Sequence, residues 1–114
     1  MTSTVVAPRN QKCLDTCAAC AQACETCAYV CSESGAAAEM GQCVTTCLDC
    51  TAICRATETL LARNSAYAIE LCKLCADACE RCADECARYD DKACQECATA
   101  CRACAEQCRS MVTA

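Results

Sequence analysis

Cysteine is the residue type in this sequence with the clearest chemical potential. The chain has 114 residues, of which 20 are cysteine and none is histidine. Thiolate sulfur selects soft metals, namely Cu(I), zinc and iron–sulfur clusters, whereas magnesium and calcium prefer oxygen ligands. The composition therefore indicates thiolate metal chemistry as the first possibility to examine.

The cysteines recur at steps of three and four residues in four separate groups. These steps average the period of an α-helix, so each group forms a stripe along one helix face. We expect all four stripes to face inward. In chain order they contain Cys13, Cys17, Cys20, Cys24, Cys27 and Cys31; Cys43, Cys47, Cys50 and Cys54; Cys72, Cys75, Cys79, Cys82 and Cys86; and Cys94, Cys97, Cys101, Cys104 and Cys108.

The spacing within each stripe suits Cu(I). An ion held by two sulfurs, with bonds of about 2.3 Å, bridges a gap of under about 5 Å, which side chains at i and i+4 can provide. Nine such CxxxC pairs occur, and Cys72 and Cys94 remain as extra thiols able to bridge to neighbouring helices. Met40, in heptad register with Cys43, adds a thioether, so we predict that all 20 cysteines and Met40 bind metal.

Charge favours a high copper load. Two thiolates around each Cu(I) leave one negative charge per site, and many such charges in one core would repel one another. If each sulfur bridges two ions, metal and thiolate approach equal numbers and the core is neutral. We therefore expect many Cu(I) ions per chain, approaching one per cysteine.

Other uses of the thiols stay open at this point. Two CxxxC pairs from facing helices could make a four-cysteine zinc site or a general metal buffer of metallothionein type. A thiol redox protein and a bundle stapled by disulfides between helices are further alternatives. An iron–sulfur cluster is less suited, because the local C-x2-C-x2-C triple is absent.

Four helices must carry these stripes. We predict helices over residues 10–34, 37–63, 66–88 and 91–111, with caps at Asn10, Ser65 and Asp90 or Asp91, and a left-handed stop at Gly35. No alternating β-branched run indicates a strand. The predicted fold class is all-α, an antiparallel up-down-up-down four-helix bundle over residues 10–114 behind a flexible arm over residues 1–9.

The predicted topology distinguishes the two ends of the bundle. One end, the mouth, collects Cys31, Met40, Cys43, Cys86 and Cys94. The opposite, closed end collects Cys13, Leu61, Ala68 and Met111. The mouth is therefore rich in sulfur and the closed end is plugged by aliphatic side chains.

Charge and composition exclude several classes of function. The net charge of -5 and the lack of a basic run argue against nucleic acid and membrane surfaces as partners. Without histidine the usual general base is missing, and we do not expect an enzyme. Residues 1–10 lack the features of a signal peptide, so a cytoplasmic location is expected. Four apolar residues face away from the stripes and suggest an oligomer interface: Tyr29, Leu48, Tyr67 and Leu74.

The cysteine runs resemble those of the bacterial copper storage proteins. The match extends over about residues 13–111 and is most specific in C-K-L-C-A-D-A-C-E-R-C-A-D-E-C at residues 72–86 and in C-Q-E-C-A-T-A-C-R-A-C-A-E-Q-C-R-S-M at residues 94–111. The Asn64-Ser65 turn and the Met40-Gly41 start of the second helix are similar too.

The resemblance implies a cytosolic protein that stores or sequesters Cu(I) in homotetramers of cysteine-lined bundles. Its copper donor and acceptor proteins are not indicated. The chain departs from the family in one respect. Cytosolic relatives often carry histidine in the turn before the last helix, where this chain has Arg88-Tyr89-Asp90-Asp91-Lys92.

Overall fold

Four helices account for nearly all of the computed structural model, which describes residues 6–35 and 37–113. They are α1 (Pro8–Ser32), α2 (Gly41–Ala62), α3 (Ala68–Cys86) and α4 (Lys92–Thr113). The described residues contain no strand. The predicted all-α class is confirmed.

The helices form an antiparallel ring. Helices α1 and α3 each pack against both α2 and α4. The guanidinium of Arg9, at the start of α1, donates to the carbonyl oxygens of Ser110 and Met111 at the end of α4, at 2.9 Å each. Asn10 donates to Asn64 beyond the end of α2 at 2.9 Å. The predicted up-down-up-down topology is confirmed, because successive helices run in opposite directions.

The ends of α1 differ from the prediction. The helix begins at Pro8, with Ala7 at the N-cap and no side-chain cap, so Asn10 is not the cap. Proline suits this position, because its missing N–H would have no partner in the first turn. The part of the predicted arm over residues 1–5 lies outside the described residues.

The predicted left-handed stop at Gly35 is wrong. No glycine has a positive φ in the described residues. The chain instead leaves α1 through a right-handed turn, in which the Ser34 amide donates to the Cys31 carbonyl at 3.3 Å. Just before α2 the Met40 amide donates to the Ala37 carbonyl at 3.2 Å, and α2 begins at Gly41 rather than near residue 37.

The break after α2 is where a left-handed residue occurs. Asn64 has a φ of 52°, and the Ser65 amide donates to the Leu60 carbonyl at 2.9 Å. This is a Schellman motif, which satisfies carbonyls left free at the end of a helix. The Ser65 hydroxyl accepts from the Tyr67 amide at 3.1 Å, but α3 begins only at Ala68, so Ser65 is not its cap.

The last turn and helix agree more closely with the prediction. Helix α4 begins at Lys92, directly after Asp91, whose main-chain carbonyl accepts from the Gln95 amide at 3.0 Å. No helix in the described residues is long and apolar enough to cross a membrane.

Candidate metal centre

The twenty cysteines form a continuous column of sulfur along the bundle axis, which we call the thiol column. Each is buried, with an exposed fraction of 0–1%. Sγ atoms on neighbouring helices approach to between 3.5 and 4.0 Å, as between Cys20 and Cys101 or Cys50. The stripes also meet across the diagonals of the bundle, with Cys20 3.8 Å from Cys79. All four stripes therefore face one interior.

Alanines beside the stripes permit this close approach. In α1, α3 and α4 a buried alanine follows a stripe cysteine and recurs seven residues later: Ala21, Ala28, Ala76, Ala83, Ala98 and Ala105. A larger side chain here would hold the helices apart. These alanines were not among the predicted site residues, although their seven-residue recurrence is visible in the sequence.

The cysteines within one helix also lie close together. Five of the nine predicted CxxxC pairs have Sγ atoms 3.8–3.9 Å apart: Cys27/Cys31, Cys50/Cys54, Cys75/Cys79, Cys82/Cys86 and Cys97/Cys101. With bonds of about 2.3 Å, linear coordination separates two sulfurs by about 4.6 Å, trigonal by about 4.0 Å and tetrahedral by about 3.8 Å. The observed spacing thus matches three or four sulfurs per ion.

Groups of four thiols recur along the column. In at least five groups all Sγ atoms lie within 4.8 Å of one another. Neighbouring groups share cysteines, so the column is a set of overlapping sites. The five are Cys17, Cys75, Cys104 and Cys108; Cys20, Cys24, Cys50 and Cys101; Cys20, Cys50, Cys54 and Cys79; Cys24, Cys47, Cys82 and Cys97; and Cys27, Cys47, Cys86 and Cys97.

All twenty cysteines are free thiols. The shortest Sγ–Sγ distances, such as 3.5 Å between Cys31 and Cys94, far exceed the roughly 2.05 Å of a disulfide bond. The stapled-bundle alternative therefore finds no support here. Burial also hinders thiol–disulfide exchange, which needs access to the sulfur.

The thiols of the thiol column differ in their pKa values. Interaction with the nearby thiols of Cys47 and Cys86 lowers the pKa of Cys27 to about 7. Nearer the mouth, burial raises the pKa of Cys31 and of Cys94. Metal binds the thiolate form, so each bound ion must displace protons, and acid weakens binding because protons compete for sulfur.

The mouth is covered in this structure. Met40 is only 3% exposed, and Cys43 and Cys86 lie 3.6 Å apart. The ring of half-buried Tyr89 packs against the core, and its hydroxyl donates to Glu85 Oε2 at 2.9 Å, with the Glu39 carbonyl at 3.4 Å. Because the mouth thiols are not exposed, an entering ion requires this cover to move.

The closed end and the two extra thiols lie where the sequence predicts. Leu61 and Met111 are buried, with exposed fractions of 0% and 5%. Cys94 reaches the α1 thiols of Cys27 and Cys31 at 3.7 and 3.5 Å. At the closed end Cys72 is fully buried, and the thiols of Cys108 and Cys13 influence its pKa. Cys94 thus connects the adjacent stripes of α1 and α4.

Carboxylates lie outside the thiol column. Several of them form surface ion pairs, such as Asp77 with Arg81 and Glu70 with Lys73. Surface pairs of this kind contribute little stability. The outward apolar residues are exposed as predicted, with Tyr29 at 67%, Tyr67 at 70%, Leu48 at 54% and Leu74 at 49%.

Comparisons with known proteins agree with this geometry. The family model described as copper storage protein matches residues 6–113. No curated protein sequence matches the chain. The solved structure of Cu(I)-bound copper storage protein BsCsp3 is 38% identical, with a TM-score of 0.88, covering 91% of this chain and 98% of that one.

Two further solved structures are similar. The apo form of copper storage protein 3 from Bacillus subtilis is 38% identical, with a TM-score of 0.85, covering 90% of this chain and 97% of that one. A cytosolic copper storage protein from Streptomyces lividans, with five coppers, is 34% identical, with a TM-score of 0.89, and the match covers 93% of each chain. The thiol column, the fold and the family match lead to one conclusion: the chain belongs to the copper storage protein family.

Proposed function

We propose that this protein stores and sequesters many Cu(I) ions on the thiol column. The observation that carries the proposal is the network of Sγ–Sγ distances of 3.5–4.0 Å, within helices and across the bundle, which links all the cysteines except Cys72. Such spacing lets one sulfur serve two ions, which keeps the loaded core near neutrality. Neither a catalytic base nor an exposed reactive thiol is needed for this function.

The proposed ligands are the twenty cysteines, with Met40 as a thioether at the mouth. Met40 is buried and precedes α2 directly, three residues before Cys43, so we expect an entering ion to meet it before Cys43. The thioether sulfur of methionine has no charge and no acidic proton, so it can bind Cu(I) without releasing a proton.

The cytosol is the proposed compartment. There thiols stay reduced and able to bind metal, and a structural match is a cytosolic copper storage protein from Streptomyces lividans.

Metal content in the cell tests this function. Protein purified anaerobically from copper-fed cells is expected to contain copper in large excess over zinc and to retain it against a Cu(I) chelator. Protein from cells grown without added copper is the control and should contain far less copper. More zinc than copper in the copper-fed sample would contradict the proposal.

A homotetramer is the proposed assembly. The exposed side chains of Tyr29, Leu48 and Leu74 offer apolar area that self-association would bury. Light scattering is expected to give about four times the chain mass of 12.0 kDa. Substitution of Leu48 by Glu, on an exposed position of α2, should lower that mass if Leu48 lies in the interface. A mass equal to that of one chain for the wild-type protein would contradict the proposed homotetramer.

A further inference from the structure

One four-thiol group near the middle of the column has nearly regular tetrahedral dimensions. Cys50 lies 3.9 Å from Cys54 and 3.7 Å from Cys79, and Cys54 lies 3.7 Å from Cys79. Cys20 lies 4.0 Å from Cys50 and 3.8 Å from Cys79. The sixth pair, Cys20 and Cys54, lies within 4.8 Å. Four sulfurs around zinc, with bonds of about 2.3 Å, would lie about 3.8 Å apart.

We propose that Cys20, Cys50, Cys54 and Cys79 form a binding site for one tetrahedral divalent ion of the zinc class. Five of the six edges already lie within a few tenths of an ångström of the required value. One divalent ion binds to four thiols, which release four protons. The resulting four-thiolate complex has a charge of minus two. This activity goes beyond copper storage and does not require it.

A neighbouring thiol can stabilise the negative charge of that complex. Cys101 lies 3.5 Å from Cys20. Cys101 is not one of the four ligands, so it can keep its proton and donate an S–H hydrogen bond to the coordinated Cys20 thiolate. Hydrogen bonds to the charged form favour it and partly offset the cost of burial.

Two other groups share no cysteine with this site or with each other. They are Cys17, Cys75, Cys104 and Cys108, and Cys24, Cys47, Cys82 and Cys97. In the second group, four edges measure 3.5–3.9 Å. Three ions can therefore bind without competing for a ligand. Since each ion uses four of the 20 thiols, the limit is five per chain.

Co(II) is a suitable probe, because its visible spectrum distinguishes tetrahedral from octahedral coordination. Anaerobic titration of the reduced, metal-free chain is expected to produce intense tetrahedral thiolate bands that saturate at about three equivalents, one for each separate group. X-ray absorption of the zinc-loaded chain is expected to show four sulfurs per ion at about 2.3 Å. Octahedral bands, or oxygen in the first coordination shell, would overturn the proposal.

Two variants with equal numbers of thiols locate the site. Cys20→Ser/Cys50→Ser removes ligands of the central site and of the overlapping group with Cys24 and Cys101, so saturation is expected to fall by one Co(II). Cys13→Ser/Cys72→Ser removes two thiols that the three separate sites do not use, and saturation should not change. Equal losses in both variants would overturn the assignment.

Serine is a suitable replacement in this core. Thr57 occupies a stripe position of α2, is fully buried, and donates its hydroxyl to the Ile53 carbonyl at 2.8 Å. A serine can use the carbonyl four residues earlier in the same way. Should a variant fail to fold, the sulfur count from X-ray absorption of the wild-type chain still decides the proposal. A Cu(I) titration of the same sample separates loss of this site from loss of copper storage.

Discussion

Anaerobic titration with Cu(I) is expected to saturate close to twenty ions per chain. At ten ions, each with two thiolates of its own, the column would hold ten negative charges within a buried core. Such charges repel strongly where water is absent. Bridging thiolates remove that repulsion, and the 3.5–4.0 Å spacing of most Sγ atoms allows one sulfur to contact more than one ion.

Proton release gives an independent measure of this loading. With bridging thiolates, each Cu(I) displaces about one proton, whereas separate two-thiolate sites would displace two. The variant Met40→Leu should leave the capacity within about one ion of wild type, because methionine adds no charge. Saturation near ten ions, with two protons released per ion, would contradict the bridged core.

Replacement of Tyr89 by Phe is expected to accelerate copper uptake by up to about ten-fold without changing capacity. The phenol hydroxyl donates to the Glu85 carboxylate at 2.9 Å and helps hold the cover over the mouth. Loss of this hydrogen bond favours opening of the cover, and competition from water at the half-buried hydroxyl limits the effect to about ten-fold. Stopped-flow transfer from a Cu(I)–chelator complex measures the rate.

The other two tyrosines provide matched controls for this measurement. Tyr67 is 70% exposed at the opposite end of the bundle, and Tyr29 is 67% exposed on the outer face of α1. Phenylalanine at either position should leave the uptake rate unchanged. If Tyr67→Phe accelerates uptake as much as Tyr89→Phe does, entry does not depend on the cover at the mouth.

The sequence by itself was sufficient for the fold and for the composition of the site. Steps of three and four residues place cysteines on one helix face whatever the surroundings, because the helical period is a property of the backbone. Short connections then force neighbouring helices to run antiparallel. These two facts account for the burial of the twenty cysteines and for the position of Leu61 at the closed end.

Helix ends were less predictable. Asn10 and Gly35 have the right side chains for a cap and a stop, yet the helix starts at Pro8 and ends without a left-handed residue. Several local arrangements satisfy the terminal amides and carbonyls at similar cost, so packing of the connections decides among them. Asn64 was located correctly as a break because few residues tolerate a positive φ.

Only the tertiary structure decided how the thiols meet. The stripes specify directions but not the distance between helices, which depends on alanines such as Ala21 and Ala76. That distance turns the predicted CxxxC pairs into overlapping groups of four, with contacts across the diagonals such as Cys20 with Cys79. The number of sulfurs that can bind one ion depends on the distances between them. Distances between sulfurs on different helices are fixed only when the helices pack.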